Sequence, residues 1–349
     1  MDFSFTNQQI AFKDSLKKLL DEECSTDAIR ALWSTENGFD QLRWEKLSNL
    51  GVVGSLIEEG EGGLGLNDID LILMAEESGY SALPEPLWDV GGVSASLINR
   101  LSNHIEENWK ARLANGDFLI LTVHEINKFL PNAHIAEAFF LQHGDGLYFA
   151  SKEDVKIIPR EGLDPSQRIF EIEWSPKKAK RLLHRSESAD LWQEALNRGA
   201  LLLAGQLLGL TQRVLDMSVE YVKARNQFGK PIGSFQAVKH LLANVQVQLE
   251  FARPVVYKAA YSLATNSPGR YRDVSYAKIV SSKVSRLAAK TSIQTHGAIG
   301  YTWESDLQIF MKRIWFLDIF WGSSSWHLNR LEKELLSPTS EIGPGGSFV

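Results

Sequence analysis

The chain has 349 residues with 44% hydrophobic content, enough for well-filled cores in two or three domains. A net charge of −6 and a pI near 5.8 argue against a nucleic-acid surface, which needs clustered Lys and Arg to release counterions. The single cysteine, Cys24, excludes internal disulfides, and Met1-Asp2-Phe3-Ser4 has neither a basic n-region nor an apolar h-region, so the expected compartment is the cytoplasm.

From Phe5 to about Glu22, the apolar residues Ile10, Phe12, Leu16, Leu19 and Leu20 are spaced for one helical face, and Thr6 or Asn7 can cap its start. Further helices are predicted at about 39–50, 67–81, 90–101 and 104–115, which makes the first block all-α. Gly60, Gly62, Gly63 and Gly65 form a turn without the strand and helix that frame a phosphate loop. From Asp117 the pattern changes to β-like runs at Phe118 to Val123, Ala136 to Gln142, Leu147 to Ala150, Val155 to Ile158 and Arg168 to Trp174. The turns Gly144-Asp145-Gly146 and Gly162-Leu163-Asp164-Pro165 separate them, and Lys177, Lys178, Lys180 and Arg181 read as a solvated interdomain face.

Helical periodicity returns at about Ala189 and persists to about Leu336, with breaks at Gly229-Lys230-Pro231, Asn266-Ser267-Pro268-Gly269 and Gly322. Its longest apolar run, Ala200 to Leu210, is interrupted by Gly205, Gln206 and Gly209 and is too short to span a bilayer, so no membrane partner is expected. The Gly-, Pro- and Ser-rich tail from Ser337 to Val349 is expected to be loose. No internal repeat is visible, and the eight histidines show no metal-ligand spacing, so no metal is expected.

Two segments carry chemistry. Arg225-Asn226-Gln227-Phe228-Gly229-Lys230-Pro231-Ile232-Gly233-Ser234-Phe235-Gln236 joins a helix end to a helix start. A guanidinium forks onto a pyrophosphate, an aromatic face suits an adenine, and a Gln amide both donates and accepts. Further on, in Gln294-Thr295-His296-Gly297-Ala298-Ile299-Gly300-Tyr301-Thr302-Trp303-Glu304, small residues let backbone N–H groups approach an anion. Arg225 taken alone suits any helix C-terminus through the dipole, and Leu203, Leu207, Leu210, Val214 and Leu215 would serve any helical core. His296 reads as packing rather than chemistry.

Together the two segments resemble the C-terminal helical domain of the acyl-CoA dehydrogenases, FAD-dependent flavoproteins. Leu50 to Leu66, the helix Asp68 to Ser81 and the turn Pro84-Glu85-Pro86-Leu87 are similar to that family's N-terminal domain. The resemblance implies a mainly α, three-domain fold: an N-terminal helical domain at 1–116, a reduced middle β domain at 117–186, a C-terminal four-helix bundle at 187–337 and a flexible tail at 338–349. It also implies that Arg225, Gln227, Phe228, Gln236, Gln294, Thr295, Gly297 and Ala298 bind cofactor.

The departures are equally informative. Dehydrogenation needs a carboxylate to take the α-proton while hydride leaves the β-carbon for the flavin. In most of the family that Glu lies in a Tyr-Glu-Gly-Thr-Ser segment; here the matching stretch is Phe320-Trp321-Gly322-Ser323-Ser324-Ser325. Trp321 stands where the base should be, and an indole N–H accepts no proton. A minority place the Glu on the helix before the Arg-x-x-Phe-Gly segment, where an ungapped count reaches Gly199; Glu194 is more than one turn away. No residue of this chain is therefore assigned as catalytic. The family's flavin-covering motifs of the middle domain are also absent after Leu121-Thr122-Val123-His124-Glu125-Ile126-Asn127, and Ser323 replaces a cofactor-contacting Thr.

The resemblance thus implies the shorter, non-catalytic subunit of a heteromeric (α2β2) enzyme of the kind bacteria use on steroid side-chain CoA thioesters. Such a subunit holds the adenine–pyrophosphate end of an FAD shared with a larger catalytic subunit, with an acyl-CoA substrate and an acceptor such as electron transfer flavoprotein. A homo-oligomeric dehydrogenase with an unrecognised base and a redox-silent structural subunit stand as alternatives.

Overall fold

The computed structural model describes residues 4–337 apart from 102, 103, 107 and 145. The expected tail at 338–349 and Asp145 of the expected turn lie outside the described residues. The chain divides into two compact units, one holding Asp14–Leu71 and Leu83–Leu202, the other the residues up to Lys13, Ile72–Ala82 and Leu203 onward.

In the first unit α1 (Asn7–Glu23), which begins in the other unit, leads to α2 (Thr26–Leu32) and α3 (Gln41–Asn49). Ser25 caps α2 by accepting from the Ala28 N–H at 3.2 Å, and Asp40 caps α3 by accepting from that of Arg43 at 3.1 Å. Arg43 is buried and grips the buried Glu85 through two bonds of 2.8 and 2.6 Å, so the charge is paired where water cannot reach it. After α4 (Asp68–Tyr80), which passes into the other unit from Ile72, a π-helical turn at Asp89–Ser94 runs into α5 (Ala95–Arg100), and α6 (Trp109–Ala114) follows. The sequence did not suggest α2, and the helix expected at 104–115 begins only at Trp109.

The strands are β1 (Ile120–Val123), β2 (Leu130–Pro131), β3 (Ala138–His143), β4 (Gly146–Ser151), β5 (Lys156–Arg160), β6 (Ile169–Glu173) and β7 (Lys180–Leu183). They form a sheet of order β1-β3-β4-β7 and a second of order β2-β6-β5. Only the β1–β3 pair in these sheets is parallel, aligning Ile120 with Ala138 and Val123 with Leu141. Ala138, Phe139, Phe140 and Leu141 of β3 are all buried, as a strand covered on both faces requires. The basic run needs refinement: Lys180 and Arg181 are exposed but belong to β7, whose Leu182 and Leu183 are buried.

The second unit is helical. A reciprocal cap between Thr6 and Gln9 (2.9 and 3.2 Å) starts α1. Its long elements are α7 (Arg185–Ala224), which enters from the first unit, α8 (Gln236–Ala264), α9 (Arg270–His296), α10 (Leu307–Ile319) and α11 (Ser324–Leu335). Leu203, Leu207, Leu210, Val214 and Leu215 are buried as expected. A Cβ on Gly209 would stand 1.8 Å from the Glu76 carbonyl oxygen, so only glycine lets α7 approach α4 this closely. Among the described residues no helix is long and apolar enough to cross a membrane, and no group of three or more His, Cys, Asp or Glu could hold a metal ion.

Candidate cofactor site

The Arg225 N–H closes the last turn of α7 on the Tyr221 carbonyl at 2.8 Å. The strands β8 (Asn226–Gln227) and β9 (Lys230–Pro231) then pair across Phe228-Gly229, with φ of +53° and +78°. Two positive φ values define the tight hairpin turn whose twist matches its strands. Gly229 suits it, whereas an L side chain there costs on the order of 1–2 kcal/mol. Phe228 nevertheless occupies it and is 90% exposed, meeting Phe235 edge-on at 6.2 Å. The Ile232 N–H returns to the Arg225 carbonyl at 2.8 Å and secures the hairpin's base. Arg225, Gln227 and Gln236 are exposed, and among the described residues no protein group accepts from the Arg225 guanidinium. An uncommitted cation beside a strained, solvent-facing aromatic fits an anionic aromatic ligand better than it fits a need of the fold.

The second segment ends α9. Gln294, Gly297 and Ala298 are exposed, and Gly297 adopts φ of +67° to stop the helix. Thr295 faces the other way: it is buried, and its hydroxyl donates to the Ser292 carbonyl at 3.1 Å. His296 is packing, as expected. Buried, it stacks on Tyr221 at 4.4 Å and 18°, and donates from Nδ1 to the Ser292 carbonyl at 2.8 Å. Since that acceptor is a carbonyl, the proton sits on Nδ1, and burial lowers the imidazole's affinity for a second one. This stack joins the last turn of α7 to the last turn of α9, bringing the two segments together.

Trp321 is 1% exposed, with φ of +53°. Its carbonyl accepts from His327 Nε2 at 3.0 Å, so His327 Nδ1, 3.1 Å from the Ser275 hydroxyl, is the accepting nitrogen. Burial, with Lys278 and Arg330 nearby, pushes His327 down to about 3, and it is neutral. Lys278, wholly buried, donates from Nζ to the carbonyls of Leu317 at 2.7 Å and Asp318 at 3.0 Å, capping α10. Ser323 is an N-cap: its Oγ accepts from the Trp326 N–H at 3.3 Å. At the other base position Gly199 lies buried within α7, beside Arg198, which forks onto Asp68 at 2.8 and 3.0 Å. Glu194 is bound to Arg100 at 3.1 Å.

In the β region β1, which holds Leu121 and Thr122, ends at Val123, and the Thr122 hydroxyl is committed to Ser94 at 2.8 Å. His124 accepts the Ile126 N–H at 3.1 Å and meets the Trp192 edge at 5.7 Å.

Sequence reasoning missed Lys278, His327 and Tyr221. The signal for Lys278 was available: with Val274, Ser281 and Ser285 it keeps the helical period of the buried face of α9.

Sequence models of the acyl-CoA dehydrogenase N-terminal domain and C-terminal domain match residues 6–117 and 189–336. Acyl-CoA dehydrogenase IpdE2 of Mycolicibacterium smegmatis is 30% identical over 325 residues, covering 93% of this chain and 97% of that relative. Among solved structures, the ChsE4–ChsE5 complex from Mycobacterium tuberculosis has a chain that matches with a TM-score of 0.87 at 20% identity, over 97% of this chain and 100% of that one. A variant of the Tcur3481–Tcur3483 steroid ACAD matches with a TM-score of 0.83 at 20% identity, over 93% and 97%. Two helical regions flanking a small β region define the three-domain fold of CH–CH oxidoreductases that act on acyl-CoA. The chain belongs to the acyl-CoA dehydrogenase family.

Proposed function

We propose that this chain is the non-catalytic subunit of a heteromeric acyl-CoA dehydrogenase. In this reading it lends one end of an FAD site to a larger catalytic partner that desaturates an acyl-CoA between Cα and Cβ. The observation that carries it is Trp321: a buried indole, on a residue whose main-chain carbonyl accepts from the neutral His327, occupies the stretch where the family keeps its proton-accepting carboxylate. The alternative position, Gly199, also lacks a carboxylate. The base and the acyl pocket then belong to the partner.

FAD, when bound, supplies the hydride acceptor. The residues here would suit its adenine–pyrophosphate end: Arg225 and the exposed backbone at Ala298 would hold the diphosphate, Gly297, whose N–H already donates to the Ile293 carbonyl, would keep the approach open, Phe228 would face the adenine, and Gln227, Gln236 and Gln294 would supply hydrogen bonds. Thr295, whose hydroxyl is already committed, contributes only backbone. Two chains of like fold come from two-component complexes, one a steroid ACAD, which supports a heteromeric partner and a steroid-derived CoA thioester as substrate. An electron transfer flavoprotein is the acceptor this reading calls for.

The test is to recover the complex from the native host through a tag on this chain and count FAD per subunit, with Arg225→Ala alongside. A charge-assisted bond to phosphate contributes roughly 1.5–3 kcal/mol, so the variant should release flavin about ten- to a hundredfold more readily. Turnover by this chain alone would establish a self-sufficient enzyme instead. A complex without flavin would establish a redox-silent subunit.

A further inference from the structure

We propose that Tyr221 and His296 form a positioning pair that sets the spacing between the two cofactor-gripping segments; this rests on the cofactor reading above. The segments sit at the ends of different helices, α7 and α9, and nothing local in sequence fixes one relative to the other. One turn of α9 grips α7 at two points. The Ser292 hydroxyl donates to the Val214 carbonyl at 3.2 Å, and the His296 ring lies on Tyr221 at 4.4 Å, roughly two helical turns further along α7. Tyr221 transmits the contact directly, because its carbonyl accepts the Arg225 N–H at 2.8 Å. His296 does the same on its side: it precedes Gly297, and a Cβ on Gly300 would already press on the His296 Cβ at 3.1 Å. The ring is held in orientation by its Nδ1 bond to the Ser292 carbonyl. Sliding either helix end would therefore break the stack before it moved Arg225 relative to Gly297-Ala298, and a grip arranged before binding spends less ordering entropy on its ligand.

The test compares FAD retained across a dilution series by complexes recovered through the tagged chain, with thermal unfolding of the same samples. His296→Ala and Tyr221→Ala should each weaken retention about tenfold, the worth of an aromatic stack. His296→Asn, which keeps a donor for the Ser292 carbonyl but no ring, should behave like alanine and serves if the alanine variants do not assemble. His296→Phe, which can still stack, should recover most of the loss. The Tyr221→Ala, His296→Ala double variant should lose no more than either single one. Lower melting temperatures with unchanged FAD retention would overturn the positioning role while Arg225→Ala still released flavin. Retention unaffected by Arg225→Ala as well would remove the cofactor reading, and this role with it.

Discussion

Replacing Lys278 with Met should flatten a rise in stability that the native chain shows between pH 7 and pH 9. Lys278 is 0% exposed, and burial lowers its ammonium from 10.5 to about 7, with Asp318 raising it and Arg286 lowering it further. The unfolded lysine keeps its proton to about 10.5 while the folded one releases it from about 7 upward. The unfolded state thus binds more protons across this window, and stability rises with pH. At about 1.4 kcal/mol per pH unit for one full proton, starting from half release at pH 7, the gain to pH 9 is about 2 kcal/mol. Methionine fills similar volume and does not titrate. Urea unfolding of both chains at pH 7, 8 and 9 isolates the effect, because titrating groups that do not interact with Lys278 cancel in the difference. Parallel profiles would refute the argument and show that the folded chain keeps Lys278 charged.

The mirror experiment lies at acid pH. His327 is held near 3 while its unfolded counterpart protonates near 6.5, so stability should fall as pH drops through that window. His327→Gln should lessen the fall by about 2 kcal/mol between pH 6.5 and 4.5, and an unchanged acid limb in urea unfolding would contradict this. Phe228→Gly should stabilise the chain by about 1 kcal/mol in thermal unfolding by relieving a positive φ, yet weaken flavin retention in the recovered complex. Loss of stability instead would mean that the ring packs for the fold. Trp321→Glu in the isolated chain should show no desaturation of any acyl-CoA in a dye-reduction assay; measurable turnover would mean that a complete flavin pocket exists here.

Much of this protein was legible without coordinates because it is encoded locally. Thr6 caps α1, Gly229 turns the hairpin at the end of α7, Asn266 with its positive φ falls in the break between α8 and α9, and Leu203 to Leu215 keep the helical period of a buried face. The hairpin that presents Arg225 and Phe228 was readable for the same reason: it is one turn-forming segment, whose geometry neighbouring residues dictate.

What the sequence could not reveal depends on pairing between distant residues. The two residues of β2 have no period to read, and β7 hides in a basic run because Lys180 and Arg181 exist as a strand only through pairing with β4. Trp109 opens α6 later than the periodicity suggested, since alternation alone does not place a helix start. Lys278 carries a charge that any local scale sends to the surface, yet the carbonyl end of α10 draws it inside. The Tyr221–His296 stack spans two helices separated by the whole of α8. Composition and spacing determine which turns form and which faces are apolar; only tertiary packing decides which polar group each buried atom meets, because those partners are far apart along the chain.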